Sequence, residues 1–212
     1  MEGGLKAAAG LHKVQTVIDI GASDGSWSEL ARQHYPDAHF LLVEAQANPH
    51  EPALRRYVAQ HPRAQYLLAA AGPRQGTIHF DATDPFGGVA SDKPTGQRDI
   101  VIPVTTVDVE VARRKLPSPY LIKLDTHGFE VPILDGAEQT LAKTELLVIE
   151  AYNFTLRPGV LRFPELCQHM EGRGFRCLDV VDQLYRPDGT LWQFDMFFAR
   201  ADAPEFQLNS WS

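Results

Sequence analysis

The feature that most constrains the fold is a short stretch near the N-terminus, residues 17–25 (VIDIGASDG), which joins an apolar run to a small, turn-forming segment. A helix-like pattern follows from Ser26 to His34, so the order is strand, tight turn and helix, as in a nucleotide-binding unit. Gly21 and Gly25 allow the backbone to bend, and we expect a ligand to lie against bare amides there. Short strand-to-helix loops are also common in α/β domains, so the turn alone does not distinguish a ligand site from a plain connection.

Composition excludes several classes of protein. The chain has 212 residues, a formal net charge of -7 and 44% hydrophobic residues, which are the proportions of an ordinary globular domain. The negative charge argues against a nucleic-acid partner, because affinity for phosphate backbones comes from clustered Lys and Arg. No apolar run reaches the ~18 residues needed to span a bilayer, so we predict no membrane partner. Residues 1–11 lack the pattern of a secretory signal, and Cys167 and Cys177 form neither a disulfide framework nor a zinc-binding spacing, so we expect a cytoplasmic protein.

Strand-like and helix-like segments alternate along most of the chain, which predicts an α/β fold with a mainly parallel sheet and helices on both faces. The Asp188-Gly189 pair predicts a hairpin, so the last strand should be antiparallel to its neighbour. We predict a single domain over residues 1–212. Its parts are an N-terminal extension at 1–13, an inserted hairpin or lid at 74–104 and a C-terminal tail at 203–212.

Two local patterns refine this outline. Asp108 is expected to cap a short helix that ends near Lys115. Apolar residues from Ile133 to Leu141 recur at helical spacing, which predicts one continuous helix over about residues 128–143.

Acidic side chains occur at or near the C-terminal end of four predicted strands. They are Asp19, Glu44, Asp125 and Glu150. Ligands of an open parallel sheet bind outside that edge, so these acids indicate a binding cleft. Glu44 lies roughly 20 residues after the glycine turn, where a carboxylate binds ribose hydroxyls, although a capping role is the alternative. The glycine spacing does not match a dinucleotide fingerprint, which disfavours NAD, and no Walker motif is present.

Residues 19–25 (DIGASDG), together with Glu44, resemble the first motif of class I S-adenosylmethionine-dependent methyltransferases. A second and more specific block is similar to signatures of the FkbM family within that class. It consists of residues 105–108 (TTVD), 122–130 (IKLDTHGFE), 133–137 (ILDGA) and 148–150 (VIE).

The resemblance implies a Rossmann-like fold whose seven-stranded, mainly parallel sheet has an antiparallel last strand. It also implies S-adenosylmethionine as cofactor and O-methylation of a small-molecule acceptor, often a hydroxyl on a sugar or secondary metabolite. The predicted cofactor-binding residues are Asp19, Gly21, Ala22, Ser23, Gly25, Glu44 and Asp125. The alternatives are an NAD(P)-dependent oxidoreductase and a methyltransferase-like domain that binds without turnover.

The predicted catalytic residues are His127, Asp125 and Lys123. An imidazole suits removal of a proton from a hydroxyl acceptor, although His127 occupies a position that is acidic in much of the family and a surface histidine is the alternative. Asp125 would orient the acceptor or the methionine amino group. Lys123 is costly to bury unpaired, so it is expected to meet Asp125 or Glu150. Asp125 could bind a divalent metal with Glu130 and Glu150, but no metal is predicted.

Other residues could line the pockets for the cofactor and the acceptor. Residues 69–71 (AAA) offer no polar side chain for adenine, so backbone or apolar contacts are expected. Aromatic residues within 152–163 and Trp192 could shape an acceptor pocket or pack in the core. Arg157 and Arg162 would suit an anionic acceptor, although exposed arginines are common.

Overall fold

The computed structural model describes residues 1–91, 93–94, 98–208 and 210. The strands are β1 (Thr16–Ile20), β2 (His39–Glu44), β3 (Ala64–Leu68), β4 (Ala70–Ala71), β5 (Gly76–Asp81), β6 (Val89–Ser91), β7 (Asp99–Thr105), β8 (Tyr120–Leu124), β9 (Thr144–Tyr152), β10 (Phe175–Tyr185) and β11 (Leu191–Arg200). The helices are α1 (Glu2–Leu11), α2 (Ser26–His34), α3 (Ala47–Gln60), α4 (Val107–Arg114), α5 (Glu130–Asp135), α6 (Glu138–Leu141) and α7 (Phe163–Gly172). A short 3-10 turn follows at Pro204–Phe206.

The central sheet has seven strands in the order β10-β11-β9-β8-β1-β2-β3. The five strands from β9 to β3 pair in parallel, whereas β11 lies antiparallel between β9 and β10. The fold class predicted from sequence, with its antiparallel last strand, is therefore confirmed. The reversal of strand order at β1 and β8 creates a crevice at the C-terminal edge, where ligands of such sheets bind.

Both faces of the central strands are covered, which explains the continuous apolar runs in β1, β2, β8 and β9. Successive residues of β1 point to opposite faces, so Val17 packs with α1, α2 and α3, and Ile18 packs with α4 to α7. The N-terminal extension contributes to the first layer, because Leu5 and Ala8 of α1 are buried. Within the described ranges, no helix has the length and hydropathy required to cross a bilayer.

Residues 74–104, the predicted inserted segment, contain β5, β6 and most of β7, and these strands form a second sheet with β4 in the order β4-β7-β5-β6. In this sheet β5 and β7 pair in antiparallel orientation, and β6 is a further strand that the sequence did not indicate. The division of the chain at 1–13, 74–104 and 203–212 stays a prediction, and its positions 92, 95–97, 209 and 211–212 lie outside the described residues.

Two local predictions were wrong because both depend on distant backbone. The continuous helix expected over 128–143 breaks at Gly136, where a Cβ would lie 2.1 Å from the carbonyl oxygen of Gly72. The cap of α4 is Thr106, whose Oγ1 accepts a hydrogen bond from the Val109 amide. Asp108 instead accepts hydrogen bonds from the backbone amides at the start of α6, including that of Thr140 at 2.8 Å.

Candidate active site

A cavity of about 470 Å³ opens at the C-terminal edge of β1, β2, β8 and β9. Its walls come from the glycine turn after β1, the ends of the neighbouring strands and the inserted segment. The lining residues that carry the argument are Gly21, Ala22, Ser23, Trp27, Glu44, Ala69, Ala70, Ala71, Phe80, Pro85, Phe86, Lys123, Asp125, His127, Phe129, Glu150 and Gln193.

The glycine turn is shaped by close approach to the end of β8. Gly21 has φ +77°, and a Cβ at this position would lie 1.9 Å from the carbonyl oxygen of Asp125. The amides of Gly21 and Ala22 donate hydrogen bonds to the Val43 carbonyl at 3.0 and 3.1 Å. The expectation of bare amides is therefore wrong at these two residues, because the turn curls back onto the end of β2. Gly21 allows a bend and a close contact here.

Glu44 accepts hydrogen bonds that hold the glycine turn in place. Its Oε2 accepts a hydrogen bond from the Ser23 amide and its Oε1 accepts one from the Gln46 amide, both at 2.7 Å. Burial raises the pKa of the Glu44 carboxyl above its ordinary value, although the two amides oppose that shift. The carboxylate lines the cavity, so its predicted role toward ribose stays a prediction with a compatible position.

Two of the predicted cofactor-binding residues lie beside the cavity instead of lining it. Asp19 is fully buried, accepts a hydrogen bond from Ser28 Oγ at 2.7 Å and lies 3.4 Å from Lys123 Nζ. Gly25 is the N-cap of α2 with φ +85° and packs against Leu42. Direct contact of Asp19 or Gly25 with a cofactor stays an untested prediction, and in this structure both support the turn.

Asp125, His127 and Glu150 lie close together at the end of the cavity opposite Glu44. His127 Nε2 lies 4.0 Å from Asp125 Oδ1 and 3.9 Å from Glu150 Oε2. The Glu150 oxygens also accept hydrogen bonds from the Tyr152 hydroxyl and the Gln193 amide. Burial, with a contribution from the negative charge of Asp125, raises the pKa of Glu150 to about 8. The imidazole of His127 is thus adjacent to the buried carboxyl of Glu150, which retains its proton at neutral pH.

The loop that carries His127 is held in an uncommon conformation. His127 has φ +53°, in the left-handed region that non-glycine residues seldom occupy. Glu130 Oε1 accepts hydrogen bonds from Thr126 Oγ1 and the Gly128 amide, and Arg157 donates to the His127 carbonyl. These contacts hold the backbone of the loop, and His127 lines the cavity.

The same three side chains at this end satisfy the distance requirement for a metal site. Ligand atoms of Asp125, His127 and Glu150 all lie within 4.8 Å of one another. The set differs from the one considered from sequence, because His127 takes the place of Glu130. The ammonium of Lys123 lies 3.1 Å from Asp125 Oδ2 and already supplies positive charge there.

The residues expected to form the ligand pockets are divided between two places. Residues 69–71 line the main cavity, as the expected apolar wall requires. Trp192 stacks on Phe154 with ring centroids 5.2 Å apart and borders a separate cavity of about 330 Å³. Arg162 pairs with the exposed Glu165 and does not line either cavity.

The sequence did not identify several lining residues. Gln193, Phe80 and Phe86 come from β11 and the inserted segment, and no local motif marks them. The alternation of apolar and polar residues around Phe80 indicates a strand, but such a pattern does not mark a ligand site.

The fold and the cavity define a Rossmann-like methyltransferase domain. A sequence model described as the methyltransferase FkbM domain matches residues 19–177, most of the chain. The chain therefore belongs to the FkbM methyltransferase family, and the resemblance seen in residues 122–130 is confirmed.

Solved structures agree with this fold. The FkbM methyltransferase from Methylobacillus flagellatus KT aligns with a TM-score of 0.56 and 19% identity over 89% of this chain and 45% of that protein. The precorrin-6y C5,15-methyltransferase from Geobacter metallireducens GS-15 aligns with a TM-score of 0.50 and 12% identity over 94% and 87%. This chain thus spans less than half of the FkbM structure. The comparison with curated protein sequences gave no significant match.

Proposed function

We propose that this domain transfers the methyl group of S-adenosylmethionine to a hydroxyl oxygen of a small-molecule acceptor, such as a sugar or a secondary metabolite. The observation that supports the proposal is one continuous cavity that connects Glu44 at the cofactor end to His127 at the reactive end. A methyltransferase of this family needs the two substrates to meet inside such a space, because transfer depends on in-line approach.

The cofactor is assigned to the side of the cavity formed by β1 and β2. Glu44 is the candidate for the ribose hydroxyls, and the apolar wall at 69–71 and Phe129 is the candidate for the adenine ring. Asp125 would stabilise the positive sulfonium through its carboxylate, and His127 and Glu150 would border the space for the acceptor.

The proposed reaction uses His127 as the base. The acceptor hydroxyl loses its proton to His127 Nε2 while its oxygen forms a bond to the methyl carbon. Bound S-adenosylmethionine would supply the methyl group and keep both electrons of its carbon–sulfur bond on sulfur, so that the products would be S-adenosylhomocysteine and a methyl ether. Asp125 would orient the resulting imidazolium, although the 4.0 Å separation requires the ring to move closer.

The charge of the cavity supports a neutral acceptor. The acidic side chains Asp24, Glu44 and Asp125 line it in addition to the protonated carboxyl of Glu150, whereas Lys123 is the one lysine or arginine among the described lining residues. Acidic walls disfavour a phosphate or carboxylate near the reactive end, because like charges at close range repel. A hydroxyl group on an uncharged molecule avoids this cost.

The experiment begins with calorimetry of S-adenosylmethionine and S-adenosylhomocysteine binding to the wild-type chain. Turnover of a hydroxylated acceptor panel is then followed by mass spectrometry of S-adenosylhomocysteine and of the transferred methyl group. His127→Asn is the informative variant, since asparagine tolerates the left-handed backbone and cannot act as a base. Turnover should fall by about 10²-fold or more while cofactor affinity is retained. His61→Asn, at the end of α3, is the matched control.

Three outcomes would contradict parts of this proposal. Absence of cofactor binding would refute it entirely, and ligand-dependent nicotinamide fluorescence would favour the oxidoreductase. Binding without formation of S-adenosylhomocysteine with any acceptor would favour a non-catalytic domain. Full activity in His127→Asn would leave the family assignment intact and remove His127 as the base.

A further inference from the structure

His50 connects two walls of the cavity that are distant in sequence. It lies in α3, is 2% exposed and has a partner for each ring nitrogen. Nε2 lies 2.7 Å from the carbonyl oxygen of Pro85, and Nδ1 lies 3.4 Å from Ser23 Oγ. Pro85 belongs to the inserted segment and Ser23 to the glycine turn, so one imidazole bridges both.

The chemistry of its partners fixes the direction of these hydrogen bonds. A backbone carbonyl can only accept, so His50 Nε2 carries a proton and donates it to Pro85. In the neutral imidazole, Nδ1 is then an acceptor for the Ser23 hydroxyl. Ser23 has φ +49° and donates its amide to Glu44, so the bridge extends to the candidate ribose-binding carboxylate.

Further contacts hold the same part of the inserted segment, which we call the flap (residues 82–88). Gln46 Nε2 donates a hydrogen bond to the Ala82 carbonyl at 3.3 Å. The ring of Phe86 meets the His50 ring edge-on, with centroids 5.6 Å apart at 65°. Pro85 and Phe86 line the cavity, so the N-terminal part of α3 and the residue before it fasten the flap beside Glu44.

We propose that His50 is a positioning residue that fastens the flap over the cofactor through its hydrogen bond to Pro85. The proposal rests on the proposed function, since it requires S-adenosylmethionine to occupy this cavity. His50 does not line the cavity itself, so it would act on the cofactor through Pro85, Phe86 and Ser23. Its hydrogen bond to the flap would strengthen cofactor binding by keeping Pro85 and Phe86 in place at the cavity. A histidine that only fills space in α3 would not need a donor at Nε2.

Two substitutions separate the contacts of the ring. In His50→Gln the side-chain amide can reach the position of Nε2 and still donate to Pro85. In His50→Asn the shorter amide reaches the position of Nδ1 and loses the bond to the flap. Calorimetry should show S-adenosylhomocysteine binding about three- to tenfold weaker in His50→Asn, the range for one lost hydrogen bond, and near the wild-type value in His50→Gln. His61→Asn, at the opposite end of α3, should bind as the wild type does.

A second measurement follows the amides of the flap, beginning with the wild-type chain. Hydrogen exchange of the wild-type chain, with and without S-adenosylhomocysteine, should show slower exchange for the flap amides when the ligand is bound. In His50→Asn that protection should be reduced, even when circular dichroism and the melting temperature show that the variant is folded. If His50→Asn does not fold, the wild-type exchange and His50→Gln decide the question.

The outcomes of these experiments distinguish a failure of the role of His50 from a failure of the proposed methyltransferase function. Wild-type binding with equal affinities in His50→Asn and His50→Gln would overturn the role of His50, whether both match the wild type or both are weakened. Wild-type binding with no ligand-dependent change at the flap would overturn it as well. If the wild-type chain binds neither S-adenosylmethionine nor S-adenosylhomocysteine, the proposed function fails and the role of His50 fails with it.

Discussion

Replacing Glu150 by glutamine tests the electrostatics of the reactive end of the cavity. Burial is the main reason that the pKa of Glu150 is raised from 4.5 to about 8, and the charge of Asp125 adds to the shift. A carboxyl that holds its proton more tightly in the folded chain stabilises the fold below the unfolded pKa, and this contribution is lost as the pH rises to the folded pKa. At about 1.4 kcal/mol per unit of pKa, the loss between pH 4.5 and 8 has an upper limit of about 5 kcal/mol.

The assay is the free energy of unfolding in urea, measured for the wild type and Glu150→Gln between pH 4 and pH 9. Glutamine does not titrate, so the difference between the two proteins isolates the ionisation of Glu150. We expect the variant to gain stability relative to the wild type as the pH rises, by more than about 1.4 kcal/mol in total and with a plateau above pH 8. Asp125→Asn should move the plateau to lower pH, because it removes a neighbouring negative charge. A difference that stays constant from pH 5 to pH 9 would refute a buried, proton-retaining Glu150.

Two further substitutions probe the cofactor side. Glu44→Ala should weaken S-adenosylmethionine binding, measured by calorimetry, by more than about tenfold, which is the effect of losing a charge-assisted hydrogen bond. The control Glu51→Ala on α3 should leave the affinity unchanged. If Glu44→Ala binds the cofactor as tightly as the wild type does, Glu44 is not part of the site. Gly21→Ala should destabilise the chain by about 2 kcal/mol or more, because its Cβ would lie 1.9 Å from the Asp125 carbonyl oxygen in addition to the left-handed backbone. The control Gly159→Ala has the same cost of a left-handed backbone, but nothing lies within 4 Å of its Cβ. If both variants lose the same free energy of unfolding in urea, the close approach of Gly21 to Asp125 is not the cause of the loss.

Features that depend on residues near one another in sequence could be predicted. The strand, turn and helix at residues 16–34 follow from an apolar run, two glycines and a helical pattern. The acids at the ends of β2, β8 and β9 could be placed at one edge because parallel strands end together. Glu44, Asp125 and Glu150 all line the cavity for this reason.

Features that depend on contacts between distant segments could not be predicted. The break at Gly136 is imposed by the backbone of Gly72, which approaches from another part of the chain. The amides of the glycine turn are occupied by the Val43 carbonyl, and nothing in the turn's own sequence indicates this. The bridge from His50 to Pro85 likewise joins residues 35 positions apart. In each case the deciding contact comes from a segment that is distant in sequence, so the local pattern does not contain it.

Lys123 shows how tertiary partners narrow a role that sequence leaves open. Its position on β8 is directly opposite Asp19 on β1, so the two charges share a face of the sheet. An ammonium has three N–H donors, and Lys123 Nζ has three oxygen atoms nearby: Asp125 Oδ2 at 3.1 Å, the Gly21 carbonyl at 3.3 Å and Asp19 Oδ1 at 3.4 Å. Burial favours the neutral amine, but the two carboxylates outweigh it and raise the pKa of Lys123, so the ammonium stays charged.

Lys123 joins the carbonyl of the glycine turn to the carboxylate of Asp125, which faces His127. We infer that Lys123 contributes to the reaction by holding Asp125 in place against Gly21, which is a positioning role. The glycine turn and the reactive end of the cavity are thereby joined by the buried ammonium of Lys123.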